Sequence, residues 1–451
     1  MDVINPASGA VFTSCARASR GQFDAAVQAA KTAFPAWAST PIKERRSVLI
    51  SIAGAVESHA DELAKLLTEE QGKPLAEALG EVQATAAFFR HVAGLSYDSK
   101  VLEDSGTRRA TLHRVPLGVV AAITPWNFPL AIMAFKVPPA LLAGNTVVLK
   151  PAATTPLTSL KFGEIIAGIV PPGVVNVVTD ANDLGDVLTG HADVAKVSFT
   201  GSTATGLKVM GNAAKTLKRV GLELGGNDAS IVLDDVDPAK IAEGVFRGAF
   251  FNCGQVCLSI KRLYVHESKY DELCDRLGQL ATNAVVGDGM NSKTQIGPLQ
   301  NKMQYEKVKG LLEDARQHGK VIAGGEVRNQ GGYFISPTIV TGMEEGSRLV
   351  DEEQFGPILP IIKYKNLDDA IARSNATTYG LGASVWSSNS DRAQAVAERL
   401  VAGTVWINQH FDLAPHIPQA GTKYSGMGVE IGEEGLLEFT QVKVVNEAMS
   451  V

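Results

Sequence analysis

Cysteine is scarce in this sequence: Cys15, Cys253, Cys257 and Cys274 are the four among 451 residues, irregularly spaced. That number excludes a disulfide framework, and no Cys-x-x-Cys pair or His-rich spacing suggests zinc, so no metal site is expected. In a reducing compartment one of the four is free to act as a nucleophile. Positive charge is also short. Lys and Arg total 42 against 48 Asp and Glu, a formal charge of -6, and no basic block forms a stripe for phosphate backbones. Nucleic acid is therefore not an expected partner. Long apolar runs are missing too. The stretch from Leu117 to Gly144 is nearly uncharged, but it contains Pro125, Pro129, Pro138, Pro139 and Lys136. It reads as a buried βα unit rather than a membrane span. The N-terminus, Met1-Asp2-Val3-Ile4-Asn5-Pro6, has no basic segment leading into an apolar run. No signal peptide is apparent, and the cytoplasm is the default address.

What is present is the composition of a folded globular chain, 45% hydrophobic and 20% charged. At about 100 to 200 residues per domain, the length predicts two or three lobes. From Ala25 to His91, apolar residues recur at helical spacing, with a break near Gly72-Lys73-Pro74. Short β-branched runs follow at Gly118 to Thr124, Thr146 to Lys150, Val174 to Val178 and Lys196 to Phe199. Helical stretches separate them, and this alternation predicts a parallel, doubly wound α/β sheet. After Gly225-Gly226 the pattern restarts. A helix around Ile241 to Phe251 and strands at Arg262 to His266, Ile335 to Val340, Ile358 to Tyr364, Ala383 to Trp386 and Thr404 to Asn408 predict a second α/β lobe.

Four segments carry candidate chemistry. In Phe251-Asn252-Cys253-Gly254-Gln255-Val256-Cys257, Cys257 lies where an apolar helical stretch meets the polar Ser259-Ile260-Lys261-Arg262, so it can emerge at an element end. Cys253, one helical turn earlier, is an equal candidate on spacing. In Gly221-Leu222-Glu223-Leu224-Gly225-Gly226-Asn227, a carboxylate stands between leucines. Desolvation there raises its pKa and suits it to be a general base, unless it sits at a strand edge facing water. In Ile123-Thr124-Pro125-Trp126-Asn127-Phe128-Pro129, the Asn127 amide can donate to a developing oxyanion or serve a turn. Phe199-Thr200-Gly201-Ser202-Thr203-Ala204-Thr205-Gly206 ends a strand and opens a helix, where free N–H groups can meet a pyrophosphate. It is not the GxGxxG fingerprint.

Together with Lys150-Pro151, Glu352-Glu353-Gln354-Phe355-Gly356-Pro357 and Gly421-Thr422-Lys423-Tyr424-Ser425-Gly426, these segments resemble the aldehyde dehydrogenase superfamily in order and spacing. The resemblance runs from Asn5-Pro6-Ala7-Ser8-Gly9 to the strand around Val442 to Val445, and the chain starts later than typical members do. It implies a Rossmann-like doubly wound cofactor domain (residues 1–97 and 116–225), an α/β catalytic domain (226–424) and a small β oligomerisation flap (98–115 and 425–451). It also implies a homodimer or homotetramer, without choosing between them.

By this similarity Cys257, not Cys253, is the nucleophile that forms a thiohemiacetal with an aldehyde, and Asn127 with the Cys257 backbone N–H holds the oxyanion. Glu223 matches the base that activates water against the thioester, and its presence favours hydrolysis over acyl transfer to coenzyme A. Lys136 matches a further position near the site. Thr124, Pro125, Trp126, Lys150, Ala153, Phe199, Thr200, Gly201, Ser202, Leu224, Glu353 and Phe355 match residues around NAD or NADP. Where NAD-preferring members often carry Glu, this chain has Ala153, which removes a repulsion of the 2′-phosphate; Asp180 replaces a usual Gly at the adenine pocket. Both cofactors stay open on these grounds.

Succinic semialdehyde dehydrogenases carry an Arg where this chain has Phe251. With Phe128, Phe251 and Leu413 as tunnel walls, an apolar or aromatic aldehyde is the expected substrate. A carboxylate-bearing semialdehyde is the alternative, and a silent binding protein of the same fold is the alternative of another class. His410, Phe411, His416 and Gln419 are expected to shape the tunnel mouth, in a segment where Pro418-Gln419-Ala420-Gly421 replaces the usual Pro-Phe-Gly-Gly.

Overall fold

A computed structural model describes residues 1–328 and 331–449. Its first sheet has six strands in the order Gly426–Met427, Arg219–Glu223, Val194–Thr200, Val119–Ile123, Thr146–Lys150, Val175–Val177. All run parallel except Gly426–Met427, which pairs antiparallel with Arg219–Glu223. The chain starts at the central strand Val119–Ile123, winds outward through Thr146–Lys150 and Val175–Val177, and returns to Val194–Thr200 on the other side. The reversal leaves a crevice outside the carboxyl ends of Val119–Ile123 and Val194–Thr200, where open α/β sheets bind ligands.

Alternation along the strand builds two cores from one sheet. Val119, Ala121 and Ile123 pack with Phe23, Val27 and Ala30 of the helix Arg20–Ser39. Val120 and Ala122 pack on the opposite face, under the helices Ile42–Ser58, Leu75–Gly94 and Pro129–Leu142. A parallel sheet covered on both faces favours apolar residues along the whole strand, and Val119–Ile123 and Thr146–Lys150 are buried throughout, the polar Thr146 and Lys150 each with a partner. The helical region of the sequence divides into Arg20–Ser39, Ile42–Ser58, Ala60–Gln71 and Leu75–Gly94. Ala60–Gln71 stops at Gly72, φ +98°, where a Cβ would lie 2.8 Å from both Pro6 and Pro298.

The second sheet has seven strands: Lys320–Ala323, Thr338–Thr341, Ile358–Tyr364, Ile260–His266, Asp228–Val232, Gly382–Trp386 and Thr404–Ile407. Lys320–Ala323 is its one antiparallel member. The run Ile335 to Val340, expected as one strand, splits around Ser336-Pro337 into Phe334–Ile335 and Thr338–Thr341 because Pro337 has no N–H for the ladder. A third sheet pairs Lys100–Asp104, Arg108–Pro116 and Thr440–Ala448 antiparallel. The described part of the segment 425–451 contributes to three sheets. Gly426–Met427 completes the first sheet and Val429–Glu430 pairs with Gln419–Ala420, while Thr440–Ala448 lies in the flap. Among the described residues, no helix is long and apolar enough to cross a membrane and no group of three or more His, Cys, Asp or Glu is placed to hold a metal.

Candidate active site

The strand Val119–Ile123 runs through Thr124-Pro125-Trp126-Asn127-Phe128 into the helix Pro129–Leu142, whose first residue is a proline that needs no N–H partner. Asn127 is buried on this loop and held from three sides. Its backbone carbonyl accepts from Lys73 Nζ at 2.9 Å and Asn252 Nδ2 at 3.0 Å, and its own Nδ2 donates to the Gln255 carbonyl at 2.9 Å. An amide nitrogen carries two hydrogens, so a second N–H stays available. Lys73 is itself buried and paired with Glu81 at 2.5 Å. The other Glu81 oxygen accepts from the Leu130 and Ala131 N–H groups at the helix start, where negative charge is favoured. Sequence reasoning missed Lys73 and Glu81; Gly72-Lys73-Pro74 registered there as a helix break and nothing more.

The helix Pro238–Phe250 gives way to a tight turn, Phe251–Gly254, in which Asn252, Cys253 and Gly254 have φ of 49°, 59° and 70°. This left-handed crank separates the two cysteines that spacing left equal. Cys253 is 2% exposed within the core of the second sheet. Cys257 is half-buried and, like Phe128, Phe251, Phe411 and Leu413, packs on the small core of Val256, Leu258, Leu381 and Trp406. The three phenylalanine ring centroids stand 5.7 to 6.1 Å apart. Burial pushes the Cys257 thiol up to about 12; Lys261 opposes this, and Glu223, Glu353 and Asp228 reinforce it.

Glu223 ends the strand Arg219–Glu223 and is 5% exposed, which answers the alternative of a water-facing carboxylate. Neither of its oxygens has a hydrogen-bond partner. Burial first, then the charge of Glu430, raises its pKa well above the ordinary carboxylate value, with Lys136 opposing. Lys136 is fully buried, ion-paired with Glu430 and donating to Ser198 Oγ at 3.2 Å. A cavity of about 10 Å³, lined in part by Glu223, Ser198 and Glu430, leaves room for about one water beside them. Glu430 is thus a site residue that no sequence motif indicated.

The cofactor candidates gather at the crevice. Thr124 and Thr200 follow and end neighbouring strands, and each has a buried hydroxyl without a partner. Gly201 and Ser202 lead into the helix Thr203–Ala214, which Ser202 caps. Phe199 closes over Gly201, where a Cβ would meet its ring at 2.6 Å, and Leu224 lies equally tightly on Gly206. Glu353 Oε1 accepts from the Gly226 N–H at 2.9 Å, and Phe355, φ +54°, meets Trp126 edge-on at 5.2 Å. Lys150 forms a buried ion pair with Asp180 at 2.6 Å, and Asn182 Oδ1 reaches both its ammonium and the Ala153 N–H. Unused hydroxyls, a helix N-terminus and buried charge at a sheet's switch point fit a dinucleotide.

One expectation needs correction. The His410 side chain does not shape the tunnel mouth. It lies inside, bonded to the Leu258 carbonyl at 2.7 Å and Ser384 Oγ at 2.9 Å, and burial lowers its pKa to about 3. Gln419 is likewise buried, within a two-residue strand.

Two lobes whose facing loops converge on a dinucleotide-type crevice define an α/β dehydrogenase. Residues 1–445 match the model of the aldehyde dehydrogenase family, and the chain belongs to that family. It is 40% identical over 461 residues to phenylacetaldehyde dehydrogenase of Pseudomonas fluorescens, covering 98% of this chain and 91% of the relative. It is 39% identical over 449 residues to the NADP-dependent succinate-semialdehyde dehydrogenase GabD of Escherichia coli, covering 98% and 93%. Among solved structures, PnpE of Pseudomonas sp. WBC-3 superposes on 100% of this chain and 94% of its own at TM-score 0.97 and 36% identity. PnpE in complex with nicotinamide adenine dinucleotide does so at 0.98. The chain is an aldehyde dehydrogenase that uses a nicotinamide dinucleotide, NAD or NADP.

Proposed function

We propose that the enzyme oxidises an apolar or aromatic aldehyde to its carboxylic acid, with Cys257 as nucleophile and NAD as the preferred acceptor. The observation that carries this reading is the apolar cage of Phe128, Phe251, Phe411 and Leu413, which packs on the same small core as Cys257. Flat apolar substrates gain from burial among such rings, whereas a carboxylate would lose hydration without a charged partner.

The Cys257 thiol gives its proton to solvent water and the sulfur attacks the carbonyl carbon, forming a C–S bond. Negative charge moves to the oxygen, where the second Asn127 N–H and the Cys257 backbone N–H hold it, each such donor contributing about 2.7 to 4 kcal/mol to the transition state. Lys150, Gly201, Ser202, Glu353 and Phe355 would hold the dinucleotide, whose nicotinamide would supply the two-electron acceptor for the hydride leaving this carbon. Cys257 then carries a thioester. Glu223 takes a proton from water as the water oxygen attacks the thioester carbon; the C–S bond breaks, and acid and thiol are released. Lys136, paired with Glu430, holds positive charge near Glu223 and favours its ionised form.

The NAD preference rests on Lys150. Asp180, itself buried, already neutralises its ammonium, so Lys150 offers no free positive charge to a 2′-phosphate. Fluorescence titration should show tighter binding of NADH than NADPH, and Asp180→Asn should shift that ratio toward NADPH by about tenfold, or ~1.4 kcal/mol. An unmoved ratio removes Asp180 from cofactor choice.

A second reading is an aldehyde with a distant carboxylate. The Arg247 guanidinium lies 5.9 Å from the Phe251 ring centroid and offers a charge at the rim of the cage. A panel of phenylacetaldehyde, hexanal and succinic semialdehyde separates the two. The first reading expects turnover of the apolar members that is lost in Cys257→Ala; selective turnover of the semialdehyde favours the second. Turnover surviving in Cys257→Ala defeats the proposed nucleophile. In the flap, the exposed Val442, Val444 and Val445 support its reading as a contact between subunits of a homodimer or homotetramer.

A further inference from the structure

Lys261 is not among the residues assigned to the site, yet it lies directly behind the nucleophile. The side chain is 3% exposed, on the strand Ile260–His266. Its Nζ donates to the Val256 carbonyl at 2.8 Å and to the Cys257 carbonyl at 2.6 Å, and sits 3.7 Å from Glu353 Oε1. The loop carrying Glu353 holds Lys261 in turn, because Gln354 Nε2 donates to its backbone carbonyl at 2.7 Å. An ammonium is costly to bury unless it is paired and hydrogen-bonded, and here both conditions are met.

The Val256 carbonyl and the Cys257 N–H belong to one peptide group. A trans peptide is planar, and its C=O and N–H point in opposite directions. A cation that grips the carbonyl from behind therefore aims the N–H forward, toward the oxyanion of the proposed thiohemiacetal. The neighbouring Cys257 carbonyl is confined as well, since a Cβ on Gly226 would meet it at 2.5 Å. The geometry points to Lys261 as a positioning residue that orients the oxyanion-binding N–H of Cys257 and keeps positive charge behind the thiolate.

Other charged groups surround the thiol. Glu223 approaches from the first sheet, Asp228 from the strand Asp228–Val232 and Glu353 from the loop before Ile358–Tyr364, and each favours the protonated thiol. Asp228 has its own pKa raised to about 7 by burial. His410, on the loop after Thr404–Ile407, is kept neutral by burial. Arg262 points elsewhere, donating to the Asn227 and Ser374 carbonyls. Lys261 is the group that offsets the three carboxylates.

This inference rests on Cys257 being the nucleophile, and its test separates the two. Cofactor-free enzyme is alkylated with iodoacetamide across a range of pH, and the Cys257 peptide is followed by mass spectrometry. Below the thiol pKa the rate tracks the thiolate fraction, about tenfold per pKa unit. Lys261→Met should slow alkylation by about tenfold or more at each pH, and Lys261→Arg should restore most of the rate. In turnover, kcat should fall by about a hundredfold in the Met variant, with the aldehyde KM changing by less than about threefold, as expected when a transition-state contact is lost. Should the Met variant not fold, Lys261→Gln against Lys261→Arg makes the same comparison, with the Gln variant expected to be the slower. Matching alkylation profiles for charged and uncharged residues at this position overturn the proposal. Full turnover in Cys257→Ala would instead overturn the nucleophile beneath it.

Discussion

Two buried carboxylates flank the site and could hardly be treated more differently. Glu81, on the Asn127 side, is saturated: one oxygen holds the Lys73 ammonium and the other accepts from two helix N–H groups. Glu223, on the opposite side, has no partner at either oxygen. The energetic consequences diverge. A buried charge with a full set of donors is inert and braces whatever it touches, here the loop that carries Asn127. A buried carboxyl without donors costs on the order of 1 to 3 kcal/mol or more, and burial holds its pKa above the ordinary carboxylate range, which suits it to take up a proton. The first region is built for rigidity and the second for chemistry.

Glu223→Gln should have the largest effect. It should permit one round of cofactor reduction, about one equivalent per site, and then stall at the thioester. Rapid-quench and steady-state measurements together test this, and sustained turnover at the wild-type rate would show that Glu223 is as passive as Glu81. In the wild type, a base with a raised pKa is active only when ionised, so thioester hydrolysis should rise with pH through that pKa, and this rise should vanish in the variant. Lys73→Met should come next. It strips Glu81 of its counter-charge and should cost about 3 to 5 kcal/mol in denaturant unfolding, as breaking one half of a buried pair does. A loss below about 1 kcal/mol would place this pair among ordinary surface bridges.

The smallest effect sharpens the comparison with a third carboxylate. Burial raises the Glu77 pKa to about 7, and one of its oxygens has no partner. The folded state therefore binds a proton more tightly than the unfolded state. Stability from this group is present at low pH and is lost as pH rises from the ordinary carboxylate range through about 7. Glu77→Gln should flatten that part of the stability–pH curve by an amount on the order of 1 to 3 kcal/mol. A curve of unchanged slope would mean that Glu77 is solvated in solution.

Much of this architecture is legible in the sequence. Thr146–Lys150 and Ile358–Tyr364 match their expected bounds because each holds an apolar run and Pro stands directly beside each. The four chemical segments lie at element ends, where strand periodicity stops, and the structure brings them to one crevice. The partners that tune them are not legible in the same way. Lys136 and Glu430 are separated by 294 positions, and Lys73 reaches Asn127 across 54. Pairing over such distances leaves no periodic trace, and a lysine written between a glycine and a proline looks like a surface turn. His410 misleads for a related reason: an imidazole reads as polar, but a neutral one with both nitrogens bonded can be buried at little cost.

The left-handed crank at Asn252, Cys253 and Gly254 makes the count of residues between the two cysteines matter as much as their identity. Straightening it, or adding or removing a single position, would rotate the following peptide groups and send the sulfur of Cys257 into the wall instead of the opening. Directed evolution of this enzyme should therefore retain no insertion or deletion in the stretch 251–256.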